Sequence, residues 1–223
     1  MSRLVLCVEG DGDVEAAPVL LSRLWLELPP ELQVGFVDTN PLRVGNVQHL
    51  TGRVAANWQR YLEAAANRPN CTAVLLLLDA DTLEDGGGCV VEVARAMADA
   101  ARAAGGGILF SVAIVFFRKE YESLLIASYP FLTGRREGVT VPENVEVAPR
   151  GAKGWLKRNL DGGYKEANDQ VVLTREINFA HLRSQNLSSF RRLEHALVEL
   201  ATATASGHHI VSPLLPPPEA TES

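Results

Sequence analysis

At 223 residues, 47% of them hydrophobic, the chain suffices for one substantial domain, or one domain with an appended lobe, and can bury a real core. No apolar stretch reaches membrane-spanning length unbroken, and the first residues lack the basic, apolar, small-residue order of a signal peptide, so a cytoplasmic protein with no membrane partner is expected. The net charge of −6 is uneven: Arg118–Arg192 carries thirteen Lys and Arg against nine Asp and Glu, and the remainder eight against eighteen. That asymmetry suits a metal centre beside a polyanion-binding surface, and its plainer reading is a solvated helix face.

In chain order, Leu4–Val8 reads as a strand and Val14–Leu28 as a helix closed by Pro29-Pro30. Gln33–Asp38 reads as a second strand. Val47–Asn67 sets Leu50, Val54, Trp58 and Leu62 on one helical face. Ala73–Leu78 is continuously apolar, as a strand buried on both faces is. Val90–Ala104 reads as a helix between two glycine triplets, and Ile108–Phe117 as another strand. Strand-helix repetition of this kind implies an α/β domain with a mainly parallel sheet. After it, Glu120–Ser128, Gly151–Asn159 and Phe179–Gln185 read as helices, with Tyr129–Pro149 as loop. Ser188 or Ser189 is expected to cap a last helix running through Thr202. The division expected is a metal-binding core over 1–118, a basic, mostly helical extension over 119–206, and a disordered tail over 207–223. Cys7, Cys71 and Cys89 lie in or beside apolar or small-residue segments without metal-ligand spacing, and read as reduced core thiols.

The chemistry concentrates at two strand ends. "LVLCVEGDGD" stops at Glu9, with Asp11 and Asp13 following among glycines, and "VLLLLDADTLED" delivers Asp79 and Asp81. Residues two apart in an extended chain point the same way, so both aspartates are expected to face one point. In open α/β sheets the carboxyl ends of the strands form the site. Carboxylates gathered in a partly dry crevice repel one another, and a divalent cation removes that cost. Oxygen ligands alone favour Mg²⁺ or Mn²⁺. Asp13 can instead cap the helix after it, or do both. The "DGD" run is not a calcium loop, because Ala16 and Ser22 stand where Gly and Glu are needed. It is not a dinucleotide fingerprint either, since Glu15 replaces the third glycine.

"VEGDGD" followed by "DAD" resembles the Toprim pattern, and the wider chain is similar to a Toprim/OLD-like group, the family called domain of unknown function 4276. The segments that carry the wider similarity are "RKEYESLLIAS", "PRGAKGWLKRNL", "GGYKEANDQ" and "LSSFRRLEHAL". The resemblance implies a Toprim-like, Rossmann-like fold. It matches Glu9 to the Toprim glutamate and Asp79 and Asp81 to its Asp-x-Asp pair, which hold one or two Mg²⁺ or Mn²⁺ ions. Asp13 falls where OLD-type nucleases often place an acid for a second ion, and Glu122 matches an acid typical of the 4276 family, as a ligand or as a partner of Arg118. Lys153 and Lys165 both lie where a lysine would steady a phosphate.

The activity implied is metal-dependent hydrolysis of phosphodiesters in DNA or RNA. Glu9 would bind metal or move protons, and Arg135, Arg136, Arg150, Lys157 and Arg158 would hold the backbone with low sequence specificity. The families it resembles often work with an ABC/SMC-like ATPase, here necessarily separate, in defence against phage. Two other readings stand beside this one. "LLLLDADT" also resembles the Asp-x-Asp segment of Mn²⁺-dependent nucleotide-sugar glycosyltransferases, although nothing in "CVEGDGD" suits a uridine pocket. Alternatively, the chain is a non-catalytic partner or regulator of a separate ATPase.

Overall fold

The computed structural model describes residues 1–147 and 151–213, the side chains of Val54, Glu84 and Asp85 excepted. The chain forms β1 (Ser2–Val8), α1 (Asp11–Leu26), β2 (Gly35–Val37), β3 (Leu42–Arg43), α2 (Ala56–Ala66), β4 (Cys71–Asp79), α3 (Asp81–Asp85) and α4 (Val90–Ala103). It continues through β5 (Ser111–Phe117), α5 (Glu122–Ala127), α6 (Ala152–Asn159), α7 (Glu166–Thr174), α8 (Phe179–Ser184), α9 (Ser188–Ser206) and β6 (Val211–Ser212). The sheet order is β2-β1-β4-β5-β6, with β3 also on β1, and every pairing is parallel. This is the α/β, Rossmann-like architecture that the alternation implies.

Alternation along the strands sorts side chains between two layers. Leu4, Leu6, Val8, Leu75, Leu77, Val115 and Phe117 pack under α1 and the C-terminal helices. Val5, Cys7, Val74, Leu76, Leu78, Val112 and Ile114 face α2 and α4. Both faces of the central strands are therefore covered, which is why they read as unbroken apolar runs. The chain passes from β1 to β2 on one side and then crosses to β4 on the other. The carboxyl ends of β1 and β4 thus flank a topological switch point, where open α/β sheets leave a crevice.

Several expectations change. The single helix over Val47–Asn67 is instead two 3-10 turns, Val47–His49 and Gly52–Val54, followed by α2. Gly52 at φ +60° takes a left-handed conformation that interrupts a helix. Leu50, Trp58 and Leu62 nevertheless stay buried in one cluster. β5 starts at Ser111 rather than Ile108, because the glycine turn bonds Ile108 and Leu109 back to Gly105 and leaves both exposed. Neither Ser188 nor Ser189 is an N-cap. They are the first residues of α9, and the N–H and O–H of each donate to the Glu146 carboxylate, which caps the helix from a distant loop. The tail expected from 207 is ordered at its start: Gly207 turns the chain left-handed, Val112 N–H donates to Ile210 O at 2.8 Å, and β6 joins the sheet. Residues 214–223 of that tail lie outside the described residues. Cys7 is buried, Cys71 half-buried and Cys89 exposed, so only the first is a core thiol. No described helix is long and apolar enough to cross a membrane.

Candidate functional site

β1 and β4 run side by side with Val8 opposite Leu77, so both strands end at the same rim. There the Asp79 N–H donates to Glu9 Oε2 at 3.1 Å. The chain leaving β5 turns across this rim, and the Tyr121 N–H donates to Asp79 Oδ1 at 3.0 Å. Tyr121 itself is locked edge-on against Phe117 and by its hydroxyl to Thr174. The next residue, Glu122, is 1% exposed and accepts from the Tyr164 hydroxyl at 2.9 Å.

Asp13 enters from the first turn of α1. Its Oδ2 accepts from the Gly10 N–H at 3.0 Å, and its Oδ1 from Gln170 Nε2 at 2.8 Å. One carboxylate therefore satisfies the helix start and still faces the site. Lys153, on α6, places its ammonium 2.7 Å from Glu166 Oε2 and 3.8 Å from Glu122 Oε1. Glu9, Asp13, Asp79, Glu122, Glu166 and Lys153 line one cleft of about 320 Å³.

Burial is the largest influence on these acids. It pushes Glu9 up to about 7, helped by the charges of Asp13 and Asp81 and opposed by the Asp79 N–H. Glu122 is also pushed up to about 7, with Lys153 acting against the shift. Asp79 is raised well above the usual carboxylate range, first by burial and then by Asp13, Glu9 and Glu122. Asp13 is raised by burial against its two hydrogen bonds. Burial disfavours the Lys153 ammonium, but Glu122 and Glu166 outweigh that and hold its proton more tightly than usual. The site has an excess of acids for the one lysine on its wall.

The all-carboxylate donor set fits a hard divalent cation such as Mg²⁺ or Mn²⁺. Among the described residues, no three His, Cys, Asp or Glu side chains are grouped closely enough to ligate one ion as they stand. Binding a cation there would require the carboxylates to draw closer together than they stand.

Not every expected residue is brought here. Asp81 does not line the cleft, although it stands close enough to raise Glu9 and Asp79. The two-residue alternation fails because β4 ends at Asp79 and α3 begins at Asp81, whose Oδ1 accepts from the Thr82 N–H. Lys165 precedes α7 and is exposed off the cleft, whereas Lys153 is on its wall. Arg135, Arg136, Lys157 and Arg158 are exposed and also lie off the cleft, with Arg136 paired to Asp161. Arg150 lies outside the described residues.

Sequence reasoning missed α7, which supplies Glu166 and Gln170, and missed Tyr164, Arg43, Asn46 and His49. "GGYKEANDQ" offered the charged helix start, Glu166 to Asp169, but too short an apolar stripe to declare a helix.

A family model described as Domain of unknown function (DUF4276) matches residues 8–198. No curated protein and no solved structure matches the chain.

Proposed function

The chain belongs to the DUF4276 family, and from that premise we propose that its cleft is the centre of a divalent-metal-dependent phosphodiester hydrolase acting on nucleic acid. The observation that carries the reading is the convergence of Glu9, Asp13, Asp79 and Glu122, from three separate segments, with Lys153 at the switch point of the sheet. Acids so far apart in sequence, raised by their shared burial, need a common partner of opposite charge. Glu9, Asp13, Asp79 and Glu122 would hold Mg²⁺ or Mn²⁺, which supplies Lewis-acid charge and a more acidic bound water. Alternatively Glu9 stays off the ion, and its carboxyl, raised toward neutrality by burial, would take a proton from water and return it to the departing oxygen. Lys153 offsets charge that grows on the phosphoryl oxygens. The resemblance of "VEGDGD" and "DAD" to the Toprim pattern supports the same chemistry, and with it a Toprim/OLD-type nuclease partnered by a separate ATPase in defence.

One observation favours a second reading, a non-catalytic partner. The Lys153 ammonium already lies between Glu122 and Glu166 and can serve as a built-in counter-ion. Cleavage of mixed DNA and RNA oligonucleotides with Mg²⁺ or Mn²⁺ separates the two. Asp79→Asn and Glu9→Gln, each nearly isosteric, are expected to lower the cleavage rate by ~100-fold or more while the fold persists. Wild-type cleavage by both variants refutes the hydrolase, and absence of cleavage in every form favours the partner.

A further inference from the structure

The cleft has a second wall, opposite in character to the first. β3 pairs with β1 so that Arg43 is in register with Val8, and the Val44 N–H donates to Val8 O at 2.9 Å. The segment after β3 is thereby pinned beside Glu9. Along it Val44, Val47 and Leu50 are buried. Arg43, Asn46 and His49, with the same spacing of three, line the cleft. From Asn46 to His49 and from Val47 to Leu50 that spacing is the period of the 3-10 turn Val47–His49, so one side of the turn anchors in the core while the other faces the site; Arg43 reaches the cleft from the end of β3. Gly45 at φ +75° lies against the His49 ring, and a Cβ there would meet Nδ1 at 2.6 Å, so the ring position depends on glycine. Asn46 Oδ1 accepts from the Gln48 N–H at 3.1 Å and holds the turn.

Guanidinium, imidazole and amide are donors, and the facing wall is carboxylate. A phosphodiester suits both, with its oxygens on the donors and its charge separated from the acids by Lys153 or a cation. Arg43 pairs with Asp11 at 2.9 Å, but their side chains are 58% and 75% exposed, so that pair is weak and readily exchanged for phosphate. The geometry points to Arg43 and His49, steadied by Asn46, as the phosphate-binding wall that holds a nucleic-acid strand against the carboxylates. The assignment rests on the phosphodiester reading. It also places the strand's path along the β3 side of the cleft, away from Arg135 and Arg136.

The test is the affinity of the full chain for fluorescein-labelled DNA and RNA oligonucleotides in Ca²⁺, read by anisotropy, with melting curves to confirm folding. Arg43→Ala and His49→Ala are each expected to weaken binding about tenfold. Asp11→Asn, which removes the competing carboxylate, is expected to tighten it up to about fivefold. Arg135→Ala stays within about twofold of wild type. The arm bound more tightly identifies DNA or RNA as the source of the phosphodiester. Wild-type affinity in Arg43→Ala and His49→Ala, or absence of binding by wild type in both arms, overturns the assignment. Mn²⁺ uptake, followed by electron paramagnetic resonance, keeps the two readings apart. A chain that binds oligonucleotide through Arg43 but neither takes up Mn²⁺ nor cleaves overturns the hydrolase and leaves this wall standing. A chain that takes up Mn²⁺ and cleaves normally without Arg43 and His49 does the reverse.

Discussion

Protons are the readout of the site at the level of single residues. Glu9 and Glu122 sit near 7 in the folded chain against an ordinary 4.5. Between those limits the folded protein keeps protons that the unfolded chain releases. Their contribution to stability is therefore present at low pH and lost as pH rises through the window. Asp38, held down against its burial by the Asn40 N–H, Arg68 and Arg3, acts in the opposite sense, as does Glu146 under its serine donors. Their contribution is lost as pH falls through the ordinary carboxylate range. In chelator the melting temperature is expected to peak near ~pH 5 and to decline toward ~pH 7.5, and millimolar Mn²⁺ at the upper pH should reverse the decline. Scanning calorimetry checks this, and a flat or rising profile in chelator counts against the raised acids.

The site depends at the element scale on how closely α1 and α7 approach. A Cβ on Gly12 would stand 2.0 Å from Gln170 Oε1 and 2.7 Å from Glu166 Cγ. Gln170 is 1% exposed and holds Asp13, so it has no open space into which to retreat. Alanine in a helix gains up to ~1 kcal/mol over glycine, whereas forcing apart a packed contact costs ~1–3 kcal/mol, so the steric loss dominates. Gly12→Ala is expected to lower unfolding free energy by ~1–2 kcal/mol in urea and to weaken Mn²⁺ uptake by releasing Asp13. A variant with wild-type stability and Mn²⁺ uptake would show that α1 and α7 yield freely. The sequence carried the two glycines of "EGDGD" as a half-formed nucleotide motif. Their second member serves helix contact, which no local pattern announces.

The whole molecule is a sheet buried on both faces, and the two layers carry different duties. The layer with α1, α5, α6 and α7 supplies Asp13, Glu122, Lys153 and Glu166 to the cleft, while the layer with α2 and α4 anchors, through Val44, Val47 and Leu50, the segment that carries Arg43, Asn46 and His49. Trp58 belongs to the second: its ring is fully buried and its indole N–H donates to Met97 O at 3.1 Å. Trp58→Ala is expected to cost ~3–5 kcal/mol, a large share of the stability of an ordinary domain, while Mn²⁺ uptake by the folded fraction is unchanged. Denaturant melts and a Mn²⁺ titration below the midpoint check both halves.

The alternation of strands and helices, the doubly covered sheet and the arrival of Glu9 and Asp79 at strand ends were legible in the sequence. Each depends on hydrophobic period and chain direction, which are local properties. The departure of Asp81 from the cleft was not, because the extended chain stops at Asp79 and α3 begins at Asp81, so the strand alternation no longer governs where Asp81 points. That Lys153 and not Lys165 lines the cleft, that α7 inserts beside α1, and that Arg43, Asn46 and His49 line the cleft's other side were likewise decided only in three dimensions. Those placements follow from contacts between segments tens to more than a hundred residues apart, such as Gln170 on Asp13, and the energy of such contacts leaves no periodic trace along the chain.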